Sequence, residues 1–215
     1  MLCVAKSLAM DQHVAAEHLQ VIRTLMERSA LYRRTLAPVM LWAGSAGCAA
    51  ALGGLALAIE APPAFAAWWL ATAVVAVAGA FVIARRQAVN DAEPFFSPPA
   101  LRVMQALAPP LASGLLLSLW LVRDGGADAR RLFVLANALL YGCAVHAAGF
   151  FMPRGMKLFG WLIIGAACVG ALLRPVVGAA ATARPDHALM GALFGLAHLG
   201  YAVYLYVTHE RKNGA

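Results

Sequence analysis

The chain has 215 residues, of which 62% are apolar and only 13% charged, with a mean hydropathy of +0.74 and a formal net charge of +7. A soluble domain carries roughly 25% charged residues, so this composition excludes a water-soluble globule and fits a chain whose outer surface faces lipid. A basic excess in such a chain flanks spans and meets anionic headgroups, and direct nucleic-acid binding is not expected.

Met1 to Met10 holds one basic residue, Lys6, and no long apolar run, so it does not read as a signal peptide. Met10 is an alternative start to Met1, because a strong helical pattern begins just after it. From about Asp11 to Arg34 the apolar residues Leu19, Ile22, Met26 and Ala30 recur at steps of three and four, which is one stripe of an amphipathic helix. Glu17, Arg23, Glu27, Arg28 and Arg33 stand around it. The stripe reads as a membrane-surface helix leading into the first span. It also reads as a docking face for a partner or a second copy, with Ile22, Met26, Arg28 and Arg33 as candidate contacts.

Six apolar stretches follow, each near the roughly 20 residues that a span needs. The first covers about Leu36 to Ile59. Its small residues repeat every four as Ser45, Ala49, Gly53 and as Ala46, Ala50, Gly54, a spacing that lets helix backbones approach closely. Glu60, Pro62 and Pro63 are expected to end it. The second covers about Phe65 to Ala84, with Trp68 and Trp69 placed for an interfacial aromatic belt. A polar connection, Gln87 to Pro99, leads to the third span, about Val103 to Val122. Pro109 and Pro110 predict a kink or a short break there. The fourth runs from about Leu132 to Phe151, the fifth from Leu158 to Leu173 and the sixth from His187 to Thr208. The domain reading is therefore 1–35 as a cytoplasmic N-terminal helix, 36–208 as a six-helix all-α transmembrane bundle and 209–215 as a cytoplasmic tail. With both ends in the cytoplasm, 12 of the 17 basic residues lie inside, and Arg123, Arg130, Arg131, Arg174 and Arg184 lie outside. That asymmetry favours this orientation, and the Arg130–Arg131 pair is the feature that weakens it.

Ionisable residues within spans are candidates for function, because hydrocarbon penalises them. His146 on the fourth span and His198 on the sixth are the two that lie well inside. Two histidines on two helices can hold a haem iron, and the same residues can relay protons or contact a quinone. The plainer alternative is that each neutral ring bonds a neighbouring carbonyl or hydroxyl. Tyr201 shares a face with His198, and Tyr204 and Tyr206 suit an interfacial belt. Asn137 and Tyr141, one turn apart, are placed for a mutual polar contact. With Gln105, Ser113 and Ser118 they line a narrow polar path or, more plainly, bond between helices. Leu111-Ala112-Ser113-Gly114 and Ala197-His198-Leu199-Gly200 are slightly similar to rhomboid protease segments, but the first glycine of the serine motif is absent and the serine falls on the wrong span. The four cysteines form no C-x-x-C pair, and no metal site or catalytic residue is assigned.

Val21 to Arg34 (VIRTLMERSALYRR), Glu93 to Pro99 (EPFFSPP), Pro153 to Trp161 (PRGMKLFGW) and His198 to Arg211 (HLGYAVYLYVTHER) together resemble a family of bacterial six-span integral membrane proteins with no established activity. Its members resemble neighbours of winged-helix transcription regulators in bacterial genomes. The resemblance implies an inner-membrane protein that senses or anchors for a cytoplasmic regulator. The alternatives are a small transporter that uses the proline-bearing third span and His198, and a haem- or quinone-binding redox protein. Oligomerisation is open in each case.

Overall fold

The structure, a computed structural model, describes residues 35–92, 95–124, 128–152, 155–172 and 183–213. The expected N-terminal amphipathic helix lies outside these residues, and with it Ile22, Met26, Arg28 and Arg33. The described residues form α1 (Thr35–Ala56), α2 (Pro62–Asn90), α3 (Pro98–Asp124), α4 (Ala129–Ala148) and α5 (Gly155–Leu172). A composite sixth span follows, made of α6 (Arg184–Met190), a π-helical turn (Gly191–Leu196) and α7 (Ala197–Asn213). No strand occurs among the described residues. All six spans are long and apolar enough to cross a membrane. Large apolar side chains point outward along them, Leu116, Leu158 and Leu172 each being more than two-thirds exposed. The chain is an all-α, six-helix, multi-pass membrane protein.

The helices alternate in direction. Thr35 and α7's C-terminus mark one end of the bundle, called here the near end; the α1–α2, α3–α4 and α5–α6 connections mark the far end. Two apolar clusters fill the interior. One joins α1, α4, α5 and the sixth span through Met40, Val145, Phe159, Ile163 and Ala202. The other joins α1, α2, α3, α4 and the sixth span through Ala51, Phe65, Trp69, Leu121 and Phe133.

Glycine determines how closely these helices approach. Along the crossing of α1 with the sixth span, Gly44 meets Leu199, Gly47 meets the Phe194 carbonyl, Gly191 meets Ala51 and Gly54 meets the His187 ring. The partner numbers fall as the α1 numbers rise, so the two run antiparallel. A β-carbon at Gly47 would overlap the Phe194 backbone. In lipid there is no hydrophobic drive between helices, so close backbone packing of this kind supplies the attraction. The buried stripe of α1 is Met40, Gly44, Gly47, Ala51 and Gly54. The Ser45–Ala49–Gly53 stripe read from sequence is rotated off this face, with Ser45 and Ala49 exposed. α4 and α5 use the same device, Gly142 against Ile164 and Gly160 against the His146 backbone.

Two tryptophans tie α1 to α2. The Trp68 indole donates to the Ala50 carbonyl at 2.9 Å, and the Trp42 indole donates to the Val75 carbonyl at 3.3 Å. Trp69 is buried against the core. Both indole N–H groups, of Trp68 and Trp69, find acceptors within the protein, at the Ala50 carbonyl and at His187.

Three further expectations change. α1 ends before Glu60, in a turn where Ala58 takes a left-handed φ of 47°. There the Ile59 N–H reaches the Gly54 carbonyl at 3.1 Å and the Ala58 N–H the Leu55 carbonyl at 3.3 Å, the paired bonds of a Schellman cap. Pro62 and Pro63 do not stop α1; they open α2, where a missing N–H costs nothing. α2 continues through Gln87 to Asn90 and α3 starts at Pro98, so both ends of the polar connection are helical and only 91–97 join them. With 29 residues, α2 is about 43 Å long at 1.5 Å per residue, longer than a hydrocarbon core of about 30 Å. α3 runs unbroken through Pro109 and Pro110, because adjacent prolines remove only two donors while the bonds on either side keep the turn wound.

Ala58 is the left-handed position of the cap, where glycine has no β-carbon to strain. Ala58→Gly should therefore raise stability in detergent by about 1 kcal/mol. Gly47→Val should lower it by more, since α1 must move off the sixth span. Thermal melting of both variants checks the pair; a destabilised Ala58→Gly would contradict the cap geometry.

Candidate functional site

His198 begins α7 one residue after the π turn and is 2% exposed. Its Nδ1 lies 3.2 Å from the Leu193 carbonyl five residues earlier, and its Nε2 lies 2.6 Å from the Tyr141 hydroxyl on α4. A carbonyl can only accept, so Nδ1 carries the proton. Nε2 is then the acceptor and the Tyr141 O–H donates to it. A neutral ring meets both demands. Phe159 from α5 stands edge-on at 4.9 Å, and Phe194 stacks at 6.3 Å. Tyr201 stacks on Phe159 at 4.9 Å, and its hydroxyl is buried beside Gly155 with no hydrogen-bond partner among the described residues. α4, α5 and the sixth span therefore meet at one aromatic cluster around a single imidazole.

His146 is elsewhere. Its Nδ1 makes a long 3.5 Å contact with the Lys157 carbonyl, and its ring lies against Phe150 and Trp161. The Lys157 ammonium sits 3.7 Å over the Phe150 ring. The two histidines occupy separate surroundings, and the Nε2 lone pair that an iron would need from His198 already accepts from Tyr141. These residues do not fit a bis-histidine haem. Among the described residues no group of three or more His, Cys, Asp or Glu is arranged to hold a metal ion.

Asn137 and Tyr141 diverge although they share α4. The Asn137 amide donates to Ser118 Oγ on α3 at 2.8 Å and to the Phe133 carbonyl at 2.9 Å, while Ser118 donates to the Gly114 carbonyl at 2.7 Å. Tyr141 faces the sixth span. Gln105 and Ser113 are exposed, and Ser113 returns its hydroxyl to the Pro109 carbonyl. Ser113 and His198 thus have different partners, which removes the protease-like dyad, and no polar path runs from Gln105 through Ser113 to Asn137.

A second polar centre lies at the far end, in residues that the sequence placed at a boundary. Asp186 is 3% exposed and His187 1%. The Trp69 indole donates to His187 Nδ1 at 3.2 Å, and His187 Nε2–H donates to the Ile59 carbonyl at 3.1 Å. The Phe65 ring lies 4.7 Å away. His187 is thus the opposite tautomer to His198, each set by a partner that can play one role only. Asp186 receives two arginines from α4: Arg130 Nε at 3.5 Å from Oδ2 and Arg131 Nη1 at 3.5 Å from Oδ1. Arg130 also donates to the Glu60 carbonyl at 2.7 Å and Arg131 to the Gly170 carbonyl at 3.3 Å. This clasp ties the α1–α2 turn, α4, α5 and the sixth span together. The sequence holds one hint of it: two adjacent arginines and one aspartate on neighbouring connections of the same end. Protein families, curated proteins and solved structures were compared with this chain, and none matches.

Removing one partner of a buried ion pair leaves the others uncompensated, at about 3–5 kcal/mol for fully buried groups. The arginine side chains here are 14% and 24% exposed, which lowers the expectation for Asp186→Asn to about 2–3 kcal/mol. Tyr141→Phe removes one buried bond and should cost about 1–3 kcal/mol. Chemical or thermal unfolding in detergent measures both, and a larger loss from Tyr141→Phe would reverse the ranking of the two centres.

Proposed function

We propose that this chain is a bacterial inner-membrane protein, with both ends in the cytoplasm, that anchors or senses for a cytoplasmic regulatory protein. The observation that carries the reading is that five polar groups of the interior are committed to bonds within the bundle. His187, His198, Tyr141, Asn137 and Ser118 each bond a neighbouring helix, turn or carbonyl. With these groups occupied, the partner-facing chemistry falls to the ends: the apolar stripe and its flanking charges over 11–34, and the α2–α3 hairpin tip. Those ends carry the segments that resemble the family neighbouring winged-helix regulators. The orientation draws support from the charge pattern. Twelve of the 17 basic residues lie on the near side and five on the far side, where Arg130 and Arg131 are tied to Asp186.

The transporter reading keeps one supporting observation. The π turn sits beside a buried histidine, and π turns inside α-helices frequently mark functional sites. The unbroken α3 removes its other support. His198→Ala should change flux of a substrate if this reading holds, and should leave every flux unchanged under the anchor reading.

Two measurements test the proposal. Purified in a mild detergent, the protein should bring down a stoichiometric cytoplasmic regulator, and Ile22→Asp with Met26→Asp should abolish that capture while membrane insertion persists. Capture that survives both substitutions would reject the docking stripe. An impermeant maleimide should label Cys3 in inverted vesicles and not in intact spheroplasts; the reverse pattern would overturn the orientation.

A further inference from the structure

The sixth span is fastened at its far end and wound as a π turn in its middle. At the far end, α6 is fastened through Asp186 and His187. On the near side, α7 is packed through the buried residues Ala202 and Leu205. Between them, Gly191–Leu196 is wound as π-helix, and the Ala197 N–H reaches back five residues to the Ala192 carbonyl. A π turn of this length accommodates one residue more than an α turn would. Rewinding it to α would turn everything beyond by about 100° and lengthen the span by about 1.5 Å, the step of one α-helical residue.

We propose that the sixth span is a register switch, with the π turn as its hinge and the Tyr141–His198 hydrogen bond as its catch. His198 holds the turn by two contacts at once. Its Nδ1–H caps the carbonyl of Leu193, inside the π turn, and its Nε2 is held by a hydroxyl on α4. The ring therefore ties the π backbone to a helix outside the sixth span. The turn lies directly on α1. On the α1 side Gly44 and Gly47 face Leu199 and the Phe194–Gly195 backbone, and Gly191 and Gly195 face Ala51 and Cys48. A change of register must part these close contacts, and parting them uncovers Cys48. Tyr201 adds an independent sign. Its hydroxyl is buried with no partner among the described residues in this register, and a buried unpaired polar group calls for an explanation. A helix that occupies a second register, in which that hydroxyl is satisfied, supplies one. The switch goes beyond the anchor reading and does not depend on it, since it is a property of the bundle alone.

Cys48 reports on the hinge, because a β-carbon at Gly195 would lie 2.6 Å from its sulfur. The experiment uses the full chain in detergent with Cys3, Cys143 and Cys168 replaced by serine, and follows modification of Cys48 by a membrane-permeant maleimide. Releasing the catch with Tyr141→Phe, or with His198→Gln as a second variant, should raise the Cys48 rate at least fivefold. Deleting Ala192 removes the extra residue and leaves the flanking segments in the parent register, so with Tyr141→Phe added the Cys48 rate should stay within twofold of the parent. His187→Phe loosens the far end and leaves the catch in place, so its rate should stay within twofold of the parent. An unchanged rate in both catch variants overturns the switch. So does an equal rise in His187→Phe, because the effect would then be general loosening. A deletion variant that still shows the raised rate when the catch is released would overturn the one-residue register change.

Discussion

A donor or acceptor buried between lipid-facing helices has no water to return to, so its partner must come from the protein. That constraint organises the whole bundle. It explains why the Trp68 and Trp69 indoles bond a carbonyl and an imidazole of neighbouring helices. It explains why Asn137 takes Ser118 and not Tyr141, since each of the two then satisfies a different interface. It also fixes the two histidine tautomers, because each ring meets one group that can only accept and another that can donate.

Such bonds require close helices, and glycine makes the closeness available. Gly44, Gly47 and Gly54 let the sixth span lie on α1 at backbone distance, and Gly54 in particular makes room for the His187 ring that receives Trp69. The short turn after α1, with its left-handed Ala58, aims the Ile59 carbonyl at the other nitrogen of that ring. Packing and polar satisfaction are here one arrangement: without the glycine there is no room for the histidine, and without the histidine α2 and the sixth span lose their polar link.

The far-end clasp gives the charge pattern a structural meaning. Arg130 and Arg131 sit on the side where a positive pair opposes the favoured orientation. They are there because Asp186, buried at the start of α6, needs compensation, and because two open carbonyls, of Glu60 and Gly170, take their remaining donors. A locally unfavourable charge placement is thus explained by what it closes. The same network keeps α6 fixed while the π turn beyond it retains its extra residue.

Much was legible in the chain by itself. Span number, helical class and the outward apolar surface follow from composition and from runs of apolar residues, because one helix satisfies its own backbone whatever its neighbours do. His198 was visible as an ionisable residue inside a span for the same reason. What the tertiary structure decided is every relation between helices. Which face of α1 is buried, and the shift from Ser45 and Ala49 to Gly44 and Gly47, depends on where the sixth span crosses it. That His198 bonds Tyr141, that His187 and Asp186 are buried and not marginal, and that Gly191–Leu196 winds as π-helix all depend on side chains far apart in sequence. Hydropathy is a property of one segment, whereas rotation about a helix axis is settled only by the partner against which the helix packs.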